Sequence, residues 1–295
     1  MAVFLKQVSN SKLYTMYAPL ERSTKPQLPP YESAKGKMEW NYQTVTFVLS
    51  IIVQAIALGL SVYAFVDAET NPGSKPELLT TILILELVVQ GVELTWYAVV
   101  GLIYYCGGAS IGVEYRYLDW MVTTPTMLIS ILLFIWYLQC NLLTLENIGS
   151  DGSKMLAILT SVVLNWVMLA MGYVYEAKMK SITSMLDSLL GPNSGLYLGF
   201  IPFLGSYVPV FASVIAKSDP LAWFVSILTF LIWALYGVVA ILYTKPGDDG
   251  IKNTFYNLLD IVSKNIAGIT VAIVTFMYSK TPLDPTVPLC NVTSS

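Results

Sequence analysis

An all-α membrane protein, built as a bundle of seven transmembrane helices, is the fold this sequence predicts, and three observations predict it. The 295 residues are 55% hydrophobic and only 12% charged, whereas soluble domains carry about 25% charged residues. Seven segments are long and apolar enough to cross a bilayer, which takes roughly 20 residues each. A turn bearing Gly, Pro or Lys separates every segment from the next.

In chain order, residues 1–44 are polar, and "KPQLPPYESAKGK" within them reads as an extended linker. The first 20 residues lack the compact apolar core of a secretory signal, so the first span is expected to direct insertion by itself. Spans one to three are expected over 45–66, 79–105 and 114–138, separated by "DAETNPGSKPE" and "GGASIG". The fourth lies at 155–174, after the polar loop "CNLLTLENIGSDGSK". A longer loop leads to the fifth, 195–216, where Pro202 and Pro209 predict kinks. The sixth and seventh cover 221–243 and 253–278. One bundle over 45–279 follows, with a polar extension before it and a short tail, 280–295, that carries a glycosylation-type sequon at Asn291.

Composition excludes several functions. There is no histidine, which removes His-based triads, metal ligands and pH switches. A net charge of −3 argues against nucleic acid as a partner. The cysteines (Cys106, Cys140 and Cys290) are odd in number and widely spaced, and announce neither a disulfide framework nor a metal knuckle. No nucleophile–base pair or phosphate loop is visible, so an enzyme is not expected.

An ionisable residue inside a span costs at least ~2.5–3.5 kcal/mol on insertion scales and is a functional candidate by default. In the seventh span Asp260 and Lys264 stand at i, i+4 on one face. They form either a salt bridge that pins two helices, or a buried lysine activated for condensation with an aldehyde. In the third span Arg116 precedes Asp119, Thr123 and Ser130, and the last three form a polar line of about 16 Å. It suits proton or ion movement, and its bland alternative is helix packing through hydroxyls. The second span puts Glu86, Gln90, Glu93, Tyr97 and Tyr104 on one face over about 27 Å. That stripe is either a subunit contact or a hydrated cation path.

Taken together, "RYLDWMVTTP" in the third span, "WALYG" (233–237) in the sixth and "DIVSK" (260–264) in the seventh resemble the microbial (type 1) rhodopsins. Asp119, Thr123 and Ser130 are similar to the Asp-Thr-Ser motif of the viral and virus-like members. The resemblance implies a bundle enclosing all-trans retinal, bound covalently to Lys264 as a protonated Schiff base. It implies Asp119 as counterion and proton acceptor, Asp260 as second counterion, and Arg116 as the cation screening both. Trp120, Thr124, Trp233 and Tyr236 would hold the polyene, and aromatic walls suit such a ligand. A homo-oligomer in the lipid membrane and an N-terminus on the outer face are implied as well. Loop charge points the other way, with ten Lys or Arg on the side of the N-terminus against four.

Two departures bear on function. Gly237 stands where the family usually has proline, and Ser130 where fast proton pumps carry a carboxylic donor. Asn265, beside the lysine, has no assigned role. The acid set around Lys264 favours a light-driven outward proton pump. The second-span stripe, with Glu86, Gln90 and Glu93 as a possible ion path, keeps a light-gated cation channel open. A sensory photoreceptor is the third reading.

Overall fold

A chain this apolar can satisfy its backbone inside a bilayer only by forming helices, and helices are what each predicted span becomes. The computed structural model describes residues 42–70, 77–107, 115–140, 143–177, 180–190, 194–217, 219–243, 249–265, 268–270 and 272–273. The expectations for the N-terminal extension and the C-terminal tail, including Asn291, lie outside these, apart from 42–44, which open the first helix.

The first three spans are α1 (Tyr42–Thr70), α2 (Glu77–Gly107) and α3 (Arg116–Gln139). A short α4 (Leu145–Ser150) starts with a reciprocal cap between Thr144 and Asn147. The fourth span, α5 (Gly152–Glu176), starts at Asp151, whose carboxylate accepts from the Ser153 and Lys154 amides. The Lys154 ammonium and then the Ser153 hydroxyl hold that carboxyl well below the usual range.

The loop predicted after it contains a helix, α6 (Lys180–Leu190). Ile182, Met185 and Leu189 recur there at helical spacing and are exposed. The fifth and sixth spans are α7 (Ser194–Ala216), continuous through Pro202 and Pro209, and α8 (Pro220–Leu242), capped by Asp219.

Six helices among the described residues are long and apolar enough to cross a membrane. The seventh span is built differently. It begins as α9 (Asp249–Asp260), turns π-helical at Ile261–Asn265 and is helical again at 268–270 and 272–273. Lys252, Asn253, Asn257, Asp260, Lys264 and Asn265 are all buried in it, so a polar inner face replaces a uniformly apolar helix. A π-turn adds a residue to the turn and re-aims the side chains beyond it.

The spans pack in chain order, with α1 on α2, α2 on α3, α3 on α5, α5 on α7, α7 on α8 and α8 on α9, and α9 closes on α1. Being most central, α3 has 67% of its apolar window buried, against 17% for α5. One end of the bundle is filled by Leu78, Leu79, Ile82 and Leu83 of α2 with Leu132, Leu133, Ile135 and Trp136 of α3. Cys140, just past α3, is disulfide-bonded, which its spacing in sequence did not announce.

Candidate functional site

Burial of a lysine ammonium is tolerable only with anions at hand, and Lys264, 1% exposed, has three. Its Nζ donates to Asp119 Oδ2 at 2.6 Å and lies 3.5 Å from both Asp260 Oδ1 and Glu93 Oε1. Asp119 and Asp260 are where the motif reading expects them. Glu93 is a finding, because the helical face of the second span links it to Glu86 and Gln90 but not to the seventh span. Only packing of α2 against the π-turn brings it to Lys264.

On the far side of the acids, Arg116 donates to Asp260 Oδ2 at 3.0 Å and to Tyr97 Oη at 3.1 Å. It also donates to Asn253 Oδ1 at 3.0 Å and to Asn257 Oδ1. Tyr97 and Tyr236 each donate to Asp260 at 2.8 Å. Arg116 therefore pairs with Asp260 and leaves Asp119 to Lys264. About two turns before Asp260 in α9, Lys252 donates to Glu176 at 2.9 Å, a second buried ion pair, which joins the end of α5 to α9.

An apolar cavity runs from Lys264 and Ser263 between α3, α5, α7 and α8. All four residues expected to hold the polyene line it: Trp120, Thr124, Trp233 and Tyr236. Thr124 donates to the Trp120 carbonyl and to Asn165 Oδ1, and so fixes α3 to α5. A lysine at the closed end of a slot with aromatic walls fits a long, rigid, apolar aldehyde such as retinal.

Two helices compete for the room where Phe200 and Gly237 meet at this cavity. A Cβ on Gly237 would stand 2.5 Å from Phe200 Cζ. The glycine is thus a packing requirement, and α8 continues through it to Leu242 without a break.

The polar line of α3 divides in two. Thr123 donates to the Asp119 carbonyl of its own helix at 3.1 Å, a packing use of its hydroxyl. Ser130 instead donates to Glu86 Oε1 at 2.7 Å. The α2 stripe faces inward, with Glu86, Gln90, Glu93 and Tyr97 all 3% exposed or less, so a lipid-facing or subunit-facing role falls away for these four. Tyr104 falls outside the described side chains.

Further buried polar groups join this seam without a signal in the motifs. Gln54 and Ser61 point inward from α1, and Asn265 from the π-turn, each fully buried. Both polar atoms of Gln54 and Asn265, both Glu93 oxygens, Glu86 Oε2, Gln90 Oε1, Asp119 Oδ1 and Ser61 Oγ have no hydrogen-bond partner in the protein. A period of three to four small or polar residues in the first span, Thr46, Ser50, Gln54 and Ser61, was the available clue.

A family model described as bacteriorhodopsin-like protein matches residues 41–277. No curated protein matches the chain significantly. Among solved structures, the viral rhodopsin OLPVRII is 22% identical over 80% of this chain and 99% of its own, with a TM-score of 0.63. A blue light-absorbing proteorhodopsin from Med12 is 19% identical over 82% and 100%, at 0.58. Bromide-bound halorhodopsin from Halobacterium salinarum is 14% identical over 81% and 94%, at 0.56. At these identities the likeness speaks for the fold.

Proposed function

Because the chain belongs to the bacteriorhodopsin-like family, whose members are light-driven retinal proteins of the membrane that in general transport ions, we propose that it is a light-gated cation channel conducting along the inner face of α2. The observation that carries this reading is the seam itself. Ten buried polar atoms of Gln54, Ser61, Glu86, Gln90, Glu93, Asp119 and Asn265 have no hydrogen-bond partner in the protein. Buried polar groups of this kind are satisfied by water, and a wet path lined by carboxylates favours cations.

Retinal held covalently by Lys264 supplies the absorption of light and a change of shape at that residue. Asp119, at 2.6 Å, stabilises positive charge on the Lys264 nitrogen. Arg116 keeps Asp260 paired while Glu93 faces both Lys264 and the seam. Beyond Glu86 and Ser130 the seam meets the buried apolar side chains of Leu78, Leu79, Ile82 and Leu83. Trp120, Thr124, Trp233 and Tyr236 hold the polyene against α3 and α8. The N-terminus outside, in a homo-oligomer at the plasma membrane or a host-cell membrane, is part of the same reading and rests on the family resemblance.

A second reading is the outward proton pump, favoured by one contact. Ser130 holds Glu86 at 2.7 Å, so a carboxyl from α2 occupies the place where α3 itself has none. Glu86 would then return a proton to the Lys264 nitrogen after Asp119 has taken one. Photocurrent under voltage clamp, with the proton and sodium gradients reversed in turn, separates the two. The channel predicts a current that changes sign with the cation gradient; a current of one direction at every voltage rejects it.

A further inference from the structure

Gln90 is fully buried at the middle of the seam, and one end of its amide is held by a hydrogen bond to another helix. Its Nε2 donates to the backbone carbonyl of Lys264 at 3.1 Å, the residue on which the cavity ends. Its Oε1 has no hydrogen-bond partner in the protein. The amide sits in a notch left by Gly268, one turn past Lys264. A methyl group at 268 would stand 2.7 Å from Gln90 Nε2 and 3.3 Å from Glu86 Oε2. Gly268 is therefore where the seventh span leaves room for the two α2 side chains that lie between Lys264 and those buried apolar side chains.

We propose that Gln90 is the gate of this seam, latched across it by the Lys264 carbonyl and housed in the notch of Gly268. The inference rests on the channel reading above. The latch uses the backbone of the one residue that any movement at the cavity end must displace, so motion of the Lys264 turn lengthens the Gln90 bond directly. Tightening or loosening is transmitted through one hydrogen bond, without a relay of side chains. The Ile261–Asn265 π-turn presents that carbonyl to α2.

The test is the dark conductance of the full-length protein in its membrane, measured with sodium and with protons as charge carriers, before and after retinal is added. Gly268→Ala displaces Gln90 from the carbonyl, because the flexible end of the amide is what must yield. Gln90→Ala removes the gate outright. Each variant is expected to raise dark conductance about tenfold, the loss of a barrier of about 1.4 kcal/mol. The double variant is expected to leak no more than Gln90→Ala alone, since both changes act on one contact.

Visible absorbance after retinal addition confirms that a variant is folded; if Gly268→Ala forms no pigment, Gln90→Ala decides alone. Variants as tight in the dark as the native protein, or leaks that add in the double variant, overturn the gate. A native photocurrent that never reverses overturns the channel reading instead.

Discussion

Asp260 is the residue on which most of the site depends. It accepts from Arg116, Tyr97 and Tyr236 and forms an ion pair with Lys264, whereas Asp119 takes one hydrogen bond from Lys264. Removing a partner from a buried ion pair leaves an uncompensated charge, at a cost of about 3–5 kcal/mol. Asp260→Asn is therefore expected to lower the thermal bleaching midpoint more than Asp119→Asn does, and equal midpoints would contradict the assignment of Arg116 to Asp260. Lys264→Ala removes the only amine at the cavity end among the described residues. It is expected to give no visible absorbance when all-trans retinal is added, and surviving colour would reject the retinal reading.

Within single elements, sequence spacing proved informative about direction but not about destination. The i, i+4, i+7 recurrence in the second span put Glu86, Gln90 and Glu93 on one face, and the structure keeps them there, buried. Nothing in that spacing placed Ser130 on Glu86 or Lys264 beside Glu93, since both contacts join residues far apart in the chain. The same limit explains α6, whose apolar residues were too few to stand out from a polar loop.

Gly237 shows the reverse case, a departure from the family pattern that the tertiary structure explains. Phe200 from α7 occupies the space that a side chain at 237 would need. Overpacking of this kind costs about 1–3 kcal/mol, so Gly237→Ala should lower the bleaching midpoint. Phe200→Leu in the same protein should recover most of it. A Gly237→Ala variant as stable as the native protein would show that the ring moves freely.

At the scale of the whole molecule, the bundle separates two environments around Lys264. Towards Arg116 the described polar groups Tyr97, Asn253, Asn257 and Asp260 are tied together through its guanidinium. Towards Glu86 many polar atoms are buried without a hydrogen-bond partner in the protein, among them Glu86 Oε2, Gln90 Oε1 and both polar atoms of Gln54 and Asn265, and a leucine-rich cluster lies beyond them. A tied half resists ion entry and a less tied half admits water, so opening is expected on the side of that cluster. Glu86→Gln with Glu93→Gln should change conductance or ion selectivity if the seam conducts. Under the pump reading, Glu86→Gln alone should slow turnover, and the photocurrent should keep its direction.

Hydropathy and periodicity by themselves determined the seven-span bundle, because each span answers locally to the demand that backbone polar groups be satisfied in lipid. The motifs that resemble the microbial rhodopsins likewise pointed to Lys264, Asp119, Asp260 and the aromatic residues that line the cavity, as expectations carried by the resemblance. The third acid at Lys264, the Ser130–Glu86 bond, the Glu176–Lys252 pair and the notch at Gly268 were decided only when helices distant in sequence packed together. Side-chain contact between helices depends on rotation and close approach, and no single helix carries either in its own spacing.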